Sequence, residues 1–296
     1  MTIYDQSKKN ITKTYYLIFL FFIFVIVFGW ILSYIFDNSI ILIIAAIIAI
    51  VQSFVSYFYS DKIALASVGA KKVERIEAPE LHRLVENLAI TAGLPKPKIY
   101  LIYDSSPNAF ATGRNPKNSA IAVTTGLLEI LNKNELQGVL AHEMSHIGNY
   151  DILTMSVVVV LVGLIAIASN LALRWSFLGA GSSENNKNGN AIIFLIGIIA
   201  IILAPIAAQI IQLSISRKRE FLADADSVLL TRYPKGLADA LEKISEYPYG
   251  LKNVNNATAH LFIANPLKRG KTNWLTKLFL THPPVKERIK ILRESQ

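Results

Sequence analysis

Ala141-His-Glu-Met-Ser-His146 sets two histidines four positions apart with a glutamate between them. On a helix this spacing puts both imidazoles on one face, with Glu143 alongside the pair. Two neutral imidazoles so placed are a half-formed site for Zn²⁺, and a neighbouring carboxylate can accept a proton from an attacking water. Upstream, Asn132-Lys-Asn-Glu135 supplies an N-cap and an acidic first turn, and Gly148 marks a stop. The stretch is therefore predicted to lie on a helix from about 133 to 148.

Outward from that helix the chain alternates between apolar runs and ordinary soluble sequence. Its 296 residues have a mean hydropathy of +0.40 and only 17% charged residues, too apolar for a typical soluble protein. Residues 14–36 and 39–60 carry no charge and are separated by Asp37-Asn38, which reads as a membrane hairpin. At about 1.5 Å rise per residue, each is long enough to cross a hydrocarbon core of roughly 30 Å. The first run is too long for a signal peptide and lacks a small-residue cleavage site. Residues 152–173 and 191–216 form a second uncharged pair, the latter interrupted by Pro205, Gln209 and Gln212. The expected organisation is a tail (1–13), a transmembrane hairpin (14–60), a soluble segment (61–151), a second hairpin (152–216) and a second soluble segment (217–296).

Lysine and arginine gather in the N-terminal tail, after the second run and at Arg217-Lys-Arg219, whereas the Asp37 turn has none. By the positive-inside rule both termini and both soluble segments face the cytoplasm. Together those segments have the size of one compact domain. Within them, residues 78–89 read as an amphipathic helix with Leu81, Leu84, Val85 and Leu88 on one face. Residues 98–103 read as a strand, and 108–124 as strand, turn and strand. The fold expected is an α+β membrane protein with four transmembrane helices, one cytoplasmic domain and a small sheet.

The chain has no cysteine, so disulfides and thiolate metal sites are excluded. The formal charge of +9 accompanies no aromatic-interleaved basic stripe, so it reads as the basic flanks of membrane spans and not as a nucleic-acid surface. The runs lack ionisable residues, which argues against a transporter. A purely structural zinc site would have no use for Glu143. A catalytic zinc wants a third protein ligand and an open position. Glu220 emerges just after the fourth apolar run, on the side where His146 precedes the third, and Asp224 follows it one helical turn later. Glu220 is either that ligand or the partner of Arg217 or Arg219. Asp224 suits the distal nitrogen of a ligand histidine. Asp226 reads as a solvated surface acid. His82 and His260 read as solvent-facing or locally bonded, and the sequon at Asn10 as chance.

Read together, HEMSHIGNYD, then two apolar runs, then SRKREFLADAD, then THPPVKERI resemble the HtpX-type membrane zinc metallopeptidases, prokaryotic relatives of the CAAX prenyl endopeptidase. The likeness spans nearly the whole chain. It implies a zincin-like, gluzincin-type site with one Zn²⁺ held by His142, His146 and Glu220, and Glu143 as general base. It implies proteolysis of misfolded or damaged membrane proteins at the prokaryotic cytoplasmic membrane, a quality-control and stress-response role. Four spans argue against the prenylated substrates of the larger relative. By the same resemblance His282 is a candidate for oxyanion stabilisation, or else a histidine capping the turn before a last helix over 285–292. Asn108, Ala109, Phe110, Ala111 and Thr112 match a strand that either pairs with extended substrate or simply packs on the domain.

Overall fold

The computed structural model of the protein describes residues 3–179 (side chains for 6–170), 209–210, 216–252, 254, 257–266 and 283–295. Two long apolar helices open the chain, α1 (Ile3–Ile35) and α2 (Ser39–Phe58). They turn at Asp37, in the left-handed region at φ 47°, and the Asn38 side chain caps α2 by accepting from the Ile40 N–H at 3.0 Å. The two pack closely: a Cβ on Gly29 would lie 2.1 Å from the Ala45 Cβ, so only glycine fits. A third apolar helix, α7 (Asp151–Gly179), lies against them. These three are the helices long and apolar enough to cross a membrane among the described residues. The expected run over 191–216 falls largely outside those residues.

Exposure divides the three. Only 11% of the most apolar stretch of α1 and 22% of that of α2 is buried, against 67% for α7. Phe19, Ile23, Val27, Ile43, Ile47 and Ile50 stand exposed on the first two, an apolar surface that water would not tolerate and lipid would. The start of α7 is instead enclosed, Ile152 by the body of the protein and Val157, Val158 and Leu161 by a cluster that includes Leu17 and Phe21 of α1; all four are fully buried.

Between α2 and α7 run α3 (Ser60–Ser67), β1 (Lys71–Lys72), α4 (Pro79–Ala92), β2 (Lys98–Ile102), β3 (Ala109–Asn115), β4 (Asn118–Thr124), α5 (Thr125–Ile130) and α6 (Lys133–Gly148). After α7 come α8 (Arg217–Thr231), α9 (Pro234–Glu246), a 3-10 turn (Ala259–Leu261) and α10 (Val285–Glu294). The sheet order is β1-β2-β4-β3, with β2 parallel and β3 antiparallel to β4, which leaves β3 at an edge. The β3–β4 turn is tight: only Pro116 and Lys117 lie between the strands. Gly113, at φ 144°, makes this possible, since a Cβ there would lie 2.3 Å from the Asn118 carbonyl oxygen. The short α5 was not anticipated. Thr124 ends β4 and caps α5 through its own hydroxyl, which accepts from the Leu127 N–H.

One hydrophobic core joins the parts of the chain before and after α7. It takes Leu81, Leu84, Val85 and Leu88 from α4, Ile121 and Val123 from β4, and Val139, Leu140 and Met144 from α6. Leu237, Ala240 and Leu241 of α9 and Leu292 of α10 complete it. Fully burying a Leu, Val or Met contributes about 1.5–3 kcal/mol, so this shared core binds segments that are far apart in sequence.

Candidate metal centre

Helix α6 runs through the middle of that core. Asn132 and Glu135 form a capping box: the Asn132 side chain accepts from the Asn134 and Glu135 N–H groups, and the Glu135 carboxylate from the Asn132 N–H. The helix can approach α9 closely because residue 138 is glycine; a Cβ there would meet the Leu237 backbone nitrogen at 2.7 Å. Fixed in this way, α6 presents His142 and His146 as buried, mutually perpendicular rings 4.7 Å apart.

Their Nε2 atoms face each other at 3.2 Å. Glu220, on α8, meets both: Oε1 is 3.6 Å from His146 Nε2, and Oε2 is 3.8 Å from His142 Nε2. One ligand atom from each of the three residues lies within 4.8 Å of the other two. Two nitrogens at about 2.0–2.1 Å from a tetrahedral ion are about 3.3 Å apart, so the spacing matches.

The far side of each ring strengthens the case. His142 Nδ1 lies 2.9 Å from Asp224 Oδ1, and His146 Nδ1 lies 3.0 Å from Asp151 Oδ2. A carboxylate at Nδ1 fixes the proton there and leaves the Nε2 lone pair outward. Two lone pairs pointing at one another across 3.2 Å inside a protein need a cation between them. Either a proton or a metal ion can meet that need, and the donor set of two imidazoles and a carboxylate is one that zinc accepts.

The ring environments differ. Burial, aided by the Arg288 charge, holds His142 below the usual imidazole range. Burial also disfavours charge on His146, but the hydrogen bond to Asp151 and the nearby Glu220 outweigh it and lift that ring to about 9. Burial pushes Glu143 up to about 7, against the pull of the His146 charge and of the Ala111 N–H, which donates to its carboxylate. A carboxylate poised near neutrality is matched to proton transfer at physiological pH.

Several supporting residues were missed from the sequence. Asp151, read there as a segment boundary, holds His146 and receives 2.7 Å hydrogen bonds from Arg219 Nη1 and Asn10 Nδ2. Arg219, weighed as a partner of Glu220, thus pairs with Asp151. Arg288 is fully buried and grips Asp224 with two bonds, Nε to Oδ2 at 2.8 Å and Nη2 to Oδ1 at 2.7 Å. Its third arm donates to the Ile263 carbonyl at 3.1 Å.

Other expectations need correction. Asp226 is half-buried and not simply a surface acid; it accepts from Ser145 Oγ at 2.6 Å and Asn149 Nδ2 at 3.1 Å, tying α8 to the end of α6. Asn108, Ala109, Phe110, Ala111 and Thr112 do lie at the sheet edge beside Glu143, and the Asn108–Ala109 end of that edge is covered. The Ile263 N–H donates to the Ala109 carbonyl at 3.0 Å, and the Asn108 side chain donates to the Ala264 carbonyl at 2.9 Å. Phe262 packs edge-on against Phe110, and all five residues are buried. His282 lies outside the described residues. His82 and His260 are buried and bond the Val73 and Met155 carbonyls through Nε2, away from the donor cluster.

Apolar helices long enough to span a bilayer, joined to a buried His-His-Glu cluster with a poised glutamate beside it, define a membrane metallopeptidase. A family profile described as Peptidase family M48 matches residues 75–296, and the chain belongs to that family. It is 45% identical over 296 residues to a "Protease HtpX homolog" of Thermoanaerobacter pseudethanolicus, covering 99% of this chain and 97% of that protein. Proteins of the same description from Caldanaerobacter subterraneus subsp. tengcongensis and Streptococcus gordonii are 46% and 42% identical, with coverage of 99% of this chain and 97% and 99% of theirs. Among solved structures, S. mikatae Ste24p aligns with a TM-score of 0.47 at 20% identity, over 97% of this chain and 64% of that one.

Proposed function

We propose that this chain is a zinc endopeptidase of the prokaryotic cytoplasmic membrane that cleaves misfolded or damaged membrane proteins. In this reading residues 61–151 and 217–296 form one cytoplasmic catalytic unit, 1–13 a cytoplasmic tail, and 14–60 and 152–216 two transmembrane hairpins. The observation that carries the metal assignment is the pair of facing Nε2 atoms, with both Nδ1 atoms committed to carboxylates and Glu220 closing the triangle.

His142, His146 and Glu220 would hold one zinc per chain, and Asp224 and Asp151 would keep the two rings in the ligating tautomer. The bound ion would supply Lewis acidity toward the scissile carbonyl and acidify the attacking water. Glu143 then takes the proton from that water and returns it to the leaving amine, a role its environment favours by holding its pKa near 7. Asn108–Thr112 would pair with an extended substrate, and at the Asn108–Ala109 end this requires the 263–264 segment to move away. His282 would add to oxyanion stabilisation.

The substrate class is tested by mass spectrometry of membrane-protein fragments in cells expressing the protein or its Glu143→Gln variant. Fragments of membrane proteins restricted to the active form are expected; identical fragment sets would contradict the proposal. Orientation is tested by protease accessibility of the 179–189 loop in sealed vesicles, where cleavage from the cytoplasmic face would overturn the assignment.

A further inference from the structure

Asn10 lies where α1 enters its apolar stretch, yet it is 4% exposed and faces the metal centre rather than lipid. Its amide nitrogen donates to Asp151 Oδ1 at 2.7 Å and to the Asn149 carbonyl at 2.8 Å. Both partners are pure acceptors, so the orientation of the amide is fixed by chemistry. Its oxygen faces Arg219 Nη1 at 3.5 Å, and that same nitrogen binds Asp151 Oδ1. The other Asp151 oxygen holds His146 Nδ1.

The two acceptors that Asn10 bridges flank Tyr150, which sits in the left-handed region at φ 59°. A non-glycine residue there costs energy and persists only where its surroundings hold it. This turn joins α6 to α7 and determines where Asp151 stands relative to His146. Asn10 clamps both sides of it from a different helix. One turn along α1, Thr14 Oγ1 donates to the Asn10 main-chain carbonyl at 2.9 Å and bonds Thr154 Oγ1 at 2.8 Å, a helix-to-helix contact that touches neither the Asn10 amide nor Asp151.

We propose that Asn10 is a positioning residue of the metal site: acting through Asp151, it orients His146 and so makes the first apolar helix part of the scaffold of the reaction centre. The inference rests on the metallopeptidase reading above.

The test uses the full chain purified in detergent, stripped of metal and titrated with Zn²⁺ against a chromophoric chelator. The visible absorption of the Co²⁺ form is recorded alongside. Asn10→Ala is expected to bind zinc about tenfold more weakly, at the low end of what removing an outer partner of a metal-ligating histidine does. Its Co²⁺ spectrum should shift as the ligand geometry changes. In an Asp151→Asn background the same substitution should change affinity less than twofold, because the path through Asp151 is already broken. Thr14→Val should keep wild-type zinc affinity whatever its melting temperature. Wild-type affinity and Co²⁺ spectrum in Asn10→Ala would overturn the proposal, as would an undiminished effect in the Asp151→Asn background. If Asn10→Ala does not fold, Asn10→Ser is measured in its place against the same outcomes. Absence of zinc binding by the wild-type chain would instead defeat the metallopeptidase reading itself.

Discussion

His142 and His146 each turn Nδ1 to a carboxylate, and each carboxylate is held by an arginine, yet the two arms come from different parts of the molecule. The His142 arm, Asp224 and Arg288, belongs to α8 and α10 in the C-terminal soluble segment. The His146 arm, Asp151 with Arg219 and Asn10, gathers the starts of α7, α8 and α1 where the apolar helices meet the body of the protein. The arms also differ in charge placement. Arg288 brings Nη2 to 3.4 Å from the His142 ring, so the cation opposes protonation there. Arg219 touches the Asp151 oxygen that does not bind the histidine, and His146 is lifted to about 9. One histidine is thus kept neutral and the other holds the proton that a metal ion must displace. Two chemically identical ligands are thus tuned in opposite directions, His142 downward by burial and the Arg288 charge, His146 upward, against its burial, by Asp151 and Glu220.

The largest test of this asymmetry concerns stability. Arg288→Met leaves Asp224 as an uncompensated buried charge and should cost about 3–5 kcal/mol, whereas after Arg219→Met Asp151 retains Asn10 and the loss should be smaller. Chemical denaturation in detergent measures both, and equal losses would mean that the arms are interchangeable. Next comes metal affinity. Asp151→Asn and Asp224→Asn should each weaken zinc binding about 10–100-fold. Chelator competition reads this, and an unchanged affinity in either variant would remove that arm from the account.

The pH dependence follows from His146. Its folded pKa is raised from 6.5 to about 9, so below 9 the ring is protonated in the metal-free chain and zinc must displace that proton. Zinc affinity should rise about tenfold per pH unit between 7 and 9 and then level off. In the metal-free protein the same shift contributes stability that is fully present below 6.5 and is lost as pH rises through 9. Asp151→Asn should move the affinity plateau to lower pH; an unmoved plateau would assign the proton elsewhere. The smallest effect is expected at Ser145→Ala, which removes the bond to Asp226 and the one accepted from Asn149 Nδ2, which keeps Asp226 as its acceptor, and should cost about 1 kcal/mol with metal affinity unchanged.

What the sequence made legible was local. Asn132, Glu135 and Gly148 bracket α6 through capping chemistry, and the spacing of Leu81, Leu84, Val85 and Leu88 gives the buried face of α4, because both signals lie within a few residues. The nearness of Glu220 to the histidines follows from the ordering of apolar runs and from helical spacing. The supporting arms were not legible, because their contacts join residues far apart: Asn10 meets Asp151 across 141 positions, and Arg288 meets Asp224 across 64. Arg288 sits in a short, charged, amphipathic helix whose composition predicts a solvated arginine; its contacts with Asp224 of α8, His142 of α6 and the Ile263 carbonyl bury it. β3 could be read as a strand, but nothing in its own residues signals that Ile263 and Ala264 occupy its outer edge.

The central claim, that His142, His146 and Glu220 hold a catalytic zinc served by Glu143, is tested most directly by one paired measurement. Zinc content and casein cleavage are determined on the purified wild-type chain and on Glu143→Gln. One equivalent of zinc is expected in both, with cleavage about 10²–10⁴-fold lower in the variant, the range for loss of a general base. Zinc-dependent cleavage retained at the wild-type rate in Glu143→Gln, or a wild-type chain that binds no zinc, would contradict it.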